Sequence, residues 1–389
     1  MNQLRPTWAE ISRDALLHNV GLVRAQLPAD VGVVAMIKAD AYGHGATQVG
    51  LWLESAGVAA MGVATIEEGI ELRAAGVQSP ILVMGGLMGG GVAAARAMLA
   101  QRLTPVLHAA DGLRAVAEAA AAAGGPIDFH LKIDTGMTRL GVRPEQVPAL
   151  LTQLADYPQL RLAGVMTHFA EANHAAERHA QCECFAAAAA TIRARVAGPL
   201  VWHLGNSAAV IHHGDSVPSA CTPFALQSGD QFWVRPGIML YGIAPFPEDE
   251  GRLPLRPVMS LHSRIILAKS VPTGTKVSYG GMWTAPRPSR LGTIPVGYAD
   301  GYPWGAVGQA RVLVRGVAVP IVGRITMDMV ICDLTDCPES QVGDEVVFLG
   351  QQGSATLRAE EIARWCGTIP YEIVCRVSKR VPRIYHGRP

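Results

Sequence analysis

The sequence predicts an α/β chain in two parts: an N-terminal (β/α)8 barrel over residues 12–244, followed by a mostly-β domain at 245–389. Three observations predict it. From Val31 to about Gly242, apolar runs alternate with Gly- or polar-rich junctions and Ala-rich helical stretches, and there are eight such runs. Strands alternating with helices read as a parallel sheet, and eight is the number that closes a barrel. The runs are near-continuously apolar, as expected of strands covered on both faces. At PFPEDEGRLPLRP (Pro245–Pro257) the texture turns Pro-rich and charged, as a linker would, and the segments after it are β-rich.

The expected barrel strands are Val31–Ile37, Val58–Ala64, Ile81–Met84, Leu103–Leu107, Ile127–Ile133, Leu160–Met166, Leu200–Leu204 and Phe232–Tyr241. The helices between them are Thr47–Ser55, Glu67–Ala75, Val92–Leu99, Asp111–Ala123, Gln146–Leu154, Ala175–Val196 and Ser207–His213. In the second part Ser260–Val271, Arg311–Arg315, Val317–Val322, Met329–Leu334 and Glu345–Leu349 read as strands, and 359–367 as a short helix.

Composition narrows the function classes. Lys+Arg 33 against Asp+Glu 32 excludes a strongly basic nucleic-acid binder and a polybasic membrane anchor. The apolar runs fall short of the roughly 18 residues a membrane span needs. Arg5 and Glu10 frame no apolar stretch, so no secretory signal is expected. The seven cysteines are odd in number and form no C-x-x-C, which argues against a disulfide framework and a Cys-based zinc site. A cytoplasmic protein is the expectation.

In a barrel, chemistry sits at the C-terminal strand ends. That rule selects Lys38, Lys132 to Arg139, His168, Asn206–Ser207 and Arg235–Ile238. Lys38 at a strand mouth is a partly desolvated amine suited to a Schiff base, or a lysine that snorkels to solvent. Lys132, Asp134 and Arg139 serve a ligand or form a surface ion-pair cluster. Ser207, near a helix N-terminus, binds phosphate or merely caps the helix. With Arg235 and the amides of Gly237 and Ile238 at the last strand, it matches the phosphate site that barrels build at their last two strands. His168, Glu171, His174 and His179 match no metal-ligand spacing, so no metal is expected. GGLMGGG (Gly85–Gly91) lacks the ending of a P-loop. The basic run Arg376, Lys379, Arg380 and Arg383 reads as a solvated strand face or a subunit contact.

MIKADAYGHG (Met36–Gly45) resembles the pyridoxal-phosphate attachment segment of the alanine racemases. The resemblance continues through HLKIDTGMTRLG (His130–Gly141), THF (Thr167–Phe169), HLGNSA (His203–Ala208), RPGIMLYG (Arg235–Gly242), VSYGG (Val277–Gly281), PVGYADGYP (Pro295–Pro303), GRITMDM (Gly323–Met329) and IPYEI (Ile369–Ile373), in family order over nearly the whole chain. It implies a homodimer that interconverts L- and D-alanine with pyridoxal 5'-phosphate, D-alanine being a peptidoglycan precursor. It also implies that the N-terminal strand, about Arg5–Ile11, joins the β-domain. Lys38 then holds the cofactor and acts as one base, and Tyr279, supplied by the partner subunit, is the opposite base. Arg235 faces the pyridine nitrogen, Arg139 the phenolic oxygen, and His168 supports Tyr279. Tyr42, Ser207, Gly237, Ile238 and Tyr371 hold the phosphate. Met327 and Asp328 come from the partner to the substrate, and Lys132 matches a lysine often carbamylated in the family.

Two opposite bases suit racemisation, because a proton leaves one face of Cα and another returns to the other face. The chain departs from the family pattern at Ser219–Gln231, which is longer than usual, and at Trp283 and Trp304, which would reshape the access channel. The competing readings are a broad-specificity racemase or a decarboxylase of the same barrel type, and a non-catalytic pyridoxal-phosphate carrier. Carriers resemble the barrel alone, whereas Tyr279, Met327 and Asp328 lie beyond it.

Overall fold

The computed structural model describes residues 4–121, 126–214 and 227–387. After strand β1 (Trp8–Ser12), eight parallel strands close into a barrel: β2 (Gly32–Met36), β3 (Ala60–Val63), β4 (Ile81–Val83), β5 (Thr104–Leu107), β6 (Ile127–Lys132), β7 (Leu160–Met166), β8 (Val201–Leu204) and β9 (Gln231–Val234). Pairing of Gly32 with Trp233 and Val33 with Val234 seals the ring. Val34, Ala60, Leu82, Val106 and Met166 fill its interior, with Trp233 beneath.

The last strand is shorter than expected. It ends at Val234, and residues Ile238–Tyr241 form a 3-10 turn instead. Pro236 has no N–H for a ladder, so the apolar run cannot continue as a strand. Helix Ser207–His213 has the expected bounds, and the Ala-rich helix Ala175–Arg193 ends three residues early. Cys182 is disulfide-bonded, although the odd cysteine count argued against a disulfide framework. Residues 122–123 of the expected helix and 219–226 of the long segment lie outside the described residues.

Beyond the linker, Met259–Arg264, Leu267–Val271, Ser289–Ile294, Arg311–Val314, Val317–Val322, Val330–Asp333 and Glu345–Gln352 build an antiparallel sheet. The stretch read as one unit, Ser260–Val271, is two strands. β1 joins this sheet, antiparallel to Met259–Arg264 and parallel to Arg383–His386. Helix Pro370–Cys375, which the sequence reading did not mark as helical, follows the expected short helix, here Ala359–Cys366. The two domains share one apolar core that runs from Leu16 and Tyr241 to Ile325 and Phe348. Buried Asn19 fastens the junction, donating to the carbonyls of Leu240 (3.0 Å) and Arg256 (2.8 Å).

Candidate active site

A cavity of about 320 Å3 opens at the C-terminal end of the barrel strands. Its lining brings together Lys38, Tyr42, Lys132, Arg139, His168, Ser207, Arg235, Gly237, Ile238 and Tyr371. Tyr371 reaches it from the β-domain helix Pro370–Cys375.

Lys38 begins an unusual turn. Ala39, Asp40, Ala41 and Tyr42 all have φ of 53–54°, a left-handed turn made without glycine. Each such residue costs roughly 1–2 kcal/mol, so the surroundings must impose it. Glu68 accepts from Ala39 N (2.6 Å) and Ala64 N (2.7 Å), tying the turn to the end of β3. Asp40 accepts from Ala46 N at 2.6 Å, and the buried ring of His44 donates from Nδ1 to the carbonyls of Ala41 and Tyr42. Gly43, at φ 82°, closes the turn where a side chain would collide with the Val374 carbonyl.

The cavity is electropositive. Burial, then the Arg139 guanidinium, lowers the Lys38 amine from its ordinary range, and Glu68 opposes them. Burial and the guanidinium groups of Arg235 and Arg139 bring Lys132 down to about 8. The same cations and burial hold His168 far below the usual histidine range, so its ring is neutral.

Arg235 is buried, its Nη1 donating to the carbonyl of His203 (2.6 Å) and its Nη2 to that of Thr167. Burial lowers it to about 9, so it stays a cation at neutral pH. Its Nη2 lies 3.5 Å from His168 Nδ1. Arg139 is exposed and makes no hydrogen bond or ion pair to the described residues, which leaves its guanidinium available to a ligand.

Two of the alternatives that the sequence left open are not met here. Asp134 pairs with neither cation; it accepts from Gly136 N and Thr138 N and shapes the loop that carries Arg139. Ser207 is not the helix cap. Asn206 is, accepting from Ala209 N, while Ser207 Oγ accepts from Gly237 N at 2.9 Å. Gly237 is required because a Cβ there would meet the Tyr42 hydroxyl. Tyr42 and Tyr371 face each other with ring centroids 6.2 Å apart, and burial raises both phenols, Tyr371 to about 12.

Tyr279, Met327 and Asp328 are absent from the cavity lining of their own chain. Tyr279 is 71% exposed on the turn Tyr279–Gly281, and Met327 is 52% exposed. Their loops are joined by Ser278 Oγ donating to the Arg324 carbonyl, and Asp328 is paired with Arg380 at 2.8 Å. Trp304 is 56% exposed.

Of the basic C-terminal run read as a solvated strand face or a subunit contact, Arg376, Lys379 and Arg380 are exposed, whereas Arg383 turns inward onto backbone carbonyls. The sequence reading also missed Met36, Met84, Met88, Leu140 and Phe246, the apolar part of the lining, and Glu68 behind it. Strand-end position was the available signal for Met36 and Met84. Nothing in the spacing marked Glu68. Among the described residues, no three His, Cys, Asp or Glu side chains converge as a metal site.

Comparison with known proteins identifies the family. The alanine racemase N-terminal domain model matches residues 11–245 and the C-terminal domain model matches 258–385. The chain is 41% identical over 388 residues to an alanine racemase of Geobacter sulfurreducens, covering 98% of this chain and 97% of that one. It is 39% identical to one of Desulfovibrio desulfuricans, covering 98% of each. Among solved structures, the alanine racemase of D-cycloserine-producing Streptomyces lavendulae superposes with a TM-score of 0.89 at 34% identity, covering 100% of this chain and 99% of that one. The Bacillus anthracis enzyme with bound L-Ala-P gives 0.88 at 31% identity, covering 100% and 96%. Matched along both domains, the chain belongs to the alanine racemase family of isomerases.

Proposed function

We propose that the chain interconverts L- and D-alanine by a two-base proton transfer in which Lys38 works from one side and the partner subunit's Tyr279 from the other. One observation carries this reading: the depressed amine of Lys38 shares a cavity with Lys132, Arg139 and Arg235, while Tyr279 stands exposed outside that lining.

The residues fit an anionic, phosphorylated cofactor. The hydroxyls of Tyr42 and Ser207 gather around Gly237, with Ile238 and Tyr371 beside them, and a side chain at position 237 would fill this cradle. These residues would hold the phosphate of pyridoxal 5'-phosphate, and Lys38 would hold it covalently. When bound, that group supplies an electron sink that acidifies the substrate's Cα–H.

Lys38 is suited to move a proton because desolvation and Arg139 favour its neutral amine. Arg235, held by backbone carbonyls, has no proton to give readily, so a ring nitrogen lying against it would stay unprotonated. That would weaken the sink and limit transamination. Arg139 has its donors available for the phenolic oxygen and the substrate carboxylate. His168 is neutral and lies beside Arg235, and it would receive the partner's Tyr279 hydroxyl. Met327 and Asp328, on the same end of the β-domain as Tyr279, would reach the substrate from the partner.

Lys132 suits carbamylation. An amine brought to about 8 is partly neutral near physiological pH and can attack carbon dioxide, forming an N–C bond and releasing a proton. The product is an anion among cations, which favours it and gives Arg139 a partner. In this reading the working unit is a homodimer with two shared sites. The barrel is the unit 12–244, and residues 245–389 with the strand from 1–11 form the second.

The test is optical. Purified protein with the cofactor should abolish the optical rotation of L-alanine, and Lys38→Ala should not. Retained rotation with the intact protein would remove the assignment.

A further inference from the structure

Behind the turn that carries Lys38 and Tyr42 lies a second cavity, of about 260 Å3, between the two domains. The barrel contributes His44, Tyr241 and Ile243 to it, and the β-domain contributes Glu10, Arg358 and Glu360. The proton transfer described above uses none of these groups.

His44 is fully buried. Its Nδ1 lies 2.9 Å from both the Ala41 and Tyr42 carbonyls, so Nδ1 carries the proton and Nε2 is a lone-pair acceptor. That Nε2 has no hydrogen-bond partner. Burial holds the ring at about 4, so it stays neutral. A buried acceptor left unpaired costs about 1–3 kcal/mol. Glu360 is also buried, and its described hydrogen bond is a long one, 3.4 Å from Ala244 N. Glu10 adds a second carboxylate, which accepts from Trp8 Nε1 and lies 3.4 Å from His386. Against these stands the guanidinium of Arg358, exposed and without a hydrogen bond or ion pair to the described residues. The wall therefore offers acceptors and negative charge within an apolar surround that includes Tyr241, Ile243 and Leu357.

We propose that this cavity is a second binding site, for a small organic ammonium ion with an apolar body. Its N–H is received by His44 Nε2 and Glu360, and its hydrocarbon rests on Tyr241, Ile243 and Leu357. An occupant bears on the cofactor turn directly. The His44 ring lies 4.6 Å from that of Tyr241, which donates to the Met36 carbonyl and packs against Tyr42.

Triethylammonium chloride is a suitable probe, titrated into the holoenzyme by calorimetry and saturation-transfer NMR. It has one N–H donor and apolar arms, and as a tertiary amine it forms no Schiff base. The catalytic cavity, lined by Lys38, Lys132, Arg139 and Arg235, repels it. Saturable binding is expected. Glu360→Gln keeps the shape and removes the charge, so binding should weaken about tenfold. Arg358→Glu changes an exposed residue and should tighten binding a few-fold; it keeps the question decidable if Glu360→Gln fails to fold. No saturable binding by the native protein means a water-filled void only and overturns the proposal. So does equal affinity in all three proteins, or Arg358→Glu binding no tighter. These readouts do not involve alanine turnover, so the outcome is separate from that of the racemisation test.

Discussion

Arg383, near the end of the chain, holds the carbonyl of Gly43, near its beginning: Nη2 donates to it at 2.8 Å and Nε at 3.2 Å. The same guanidinium donates to the carbonyls of Val377 (2.6 Å), Ser378 (2.7 Å) and Val381 (2.8 Å). The left-handed turn after Lys38 is thus clamped by the C-terminal strand. Arg383→Met keeps most of the apolar stem and leaves these carbonyls without their donor. Unfolding by denaturant should show a loss of about 2 kcal/mol or more, and cofactor affinity should fall with it. An unchanged midpoint together with unchanged cofactor affinity would show that the turn holds itself.

The pH dependence of kcat should report on Lys38, whose amine is free only once the substrate is bound. Its neutral form takes the proton, so the rate rises with pH as the amine deprotonates. Arg139 pushes its pKa down and Glu68 pulls it up. Arg139→Gln should therefore move the acidic limb to higher pH and Glu68→Gln to lower pH, each by roughly half a unit or more. Shifts in the same direction would contradict the assignment of that limb to Lys38.

Lys132 makes stability depend on pH. Its amine is brought to about 8 in the folded chain, whereas an unfolded lysine titrates near about 10.4. Between these values the unfolded chain binds more protons, so stability rises with pH across that window, and the full penalty is present below it. In carbon-dioxide-free buffer, Lys132→Met should raise Tm at pH 7, with the gain shrinking towards pH 10. Bicarbonate should stabilise the native protein and leave the variant unmoved. A gain that grows with pH, or bicarbonate acting equally on both, would refute this account of Lys132.

Arg235→Glu places a carboxylate against the carbonyls of His203 and Thr167 in place of a donor. Racemisation should fall by about 10²-fold or more, while pyruvate formed per racemisation event rises, because a carboxylate allows the ring nitrogen to keep a proton. An unchanged partition between the two reactions would show that Arg235 does not face the ring.

The barrel was legible because its strands are continuous apolar runs, and their ends pointed to Lys38, His168 and Arg235 without reference to any family. Tyr279 and Met327 were legible through resemblance alone: an exposed tyrosine on a short turn has no periodicity to betray it. Helix Pro370–Cys375 was missed because six residues span under two turns, too few for a pattern. Glu68 went unmarked, and the inward contacts of Arg383 were not legible, for a different reason. Each acts on backbone groups far away in sequence, 29 residues to Ala39 and 340 to Gly43, and such contacts leave no local signature. The run to Tyr241 was over-extended because an apolar run looks alike as strand or as 3-10 turn until Pro236 is weighed.

Subunit mixing tests the central claim, that Lys38 and Tyr279 complete one site from two chains, most directly. Lys38→Ala and Tyr279→Ala are prepared separately, and each should be nearly inactive. In a mixed dimer one site inherits both defects and the other inherits neither. Random exchange makes about half the dimers mixed, so activity should return to roughly a quarter of the native value. Co-expression with two affinity tags confirms that mixing has occurred. Recovery near that level is the result expected; confirmed mixed dimers with no recovery would contradict the partner's Tyr279 as the second base, and with it the roles given to Met327 and Asp328.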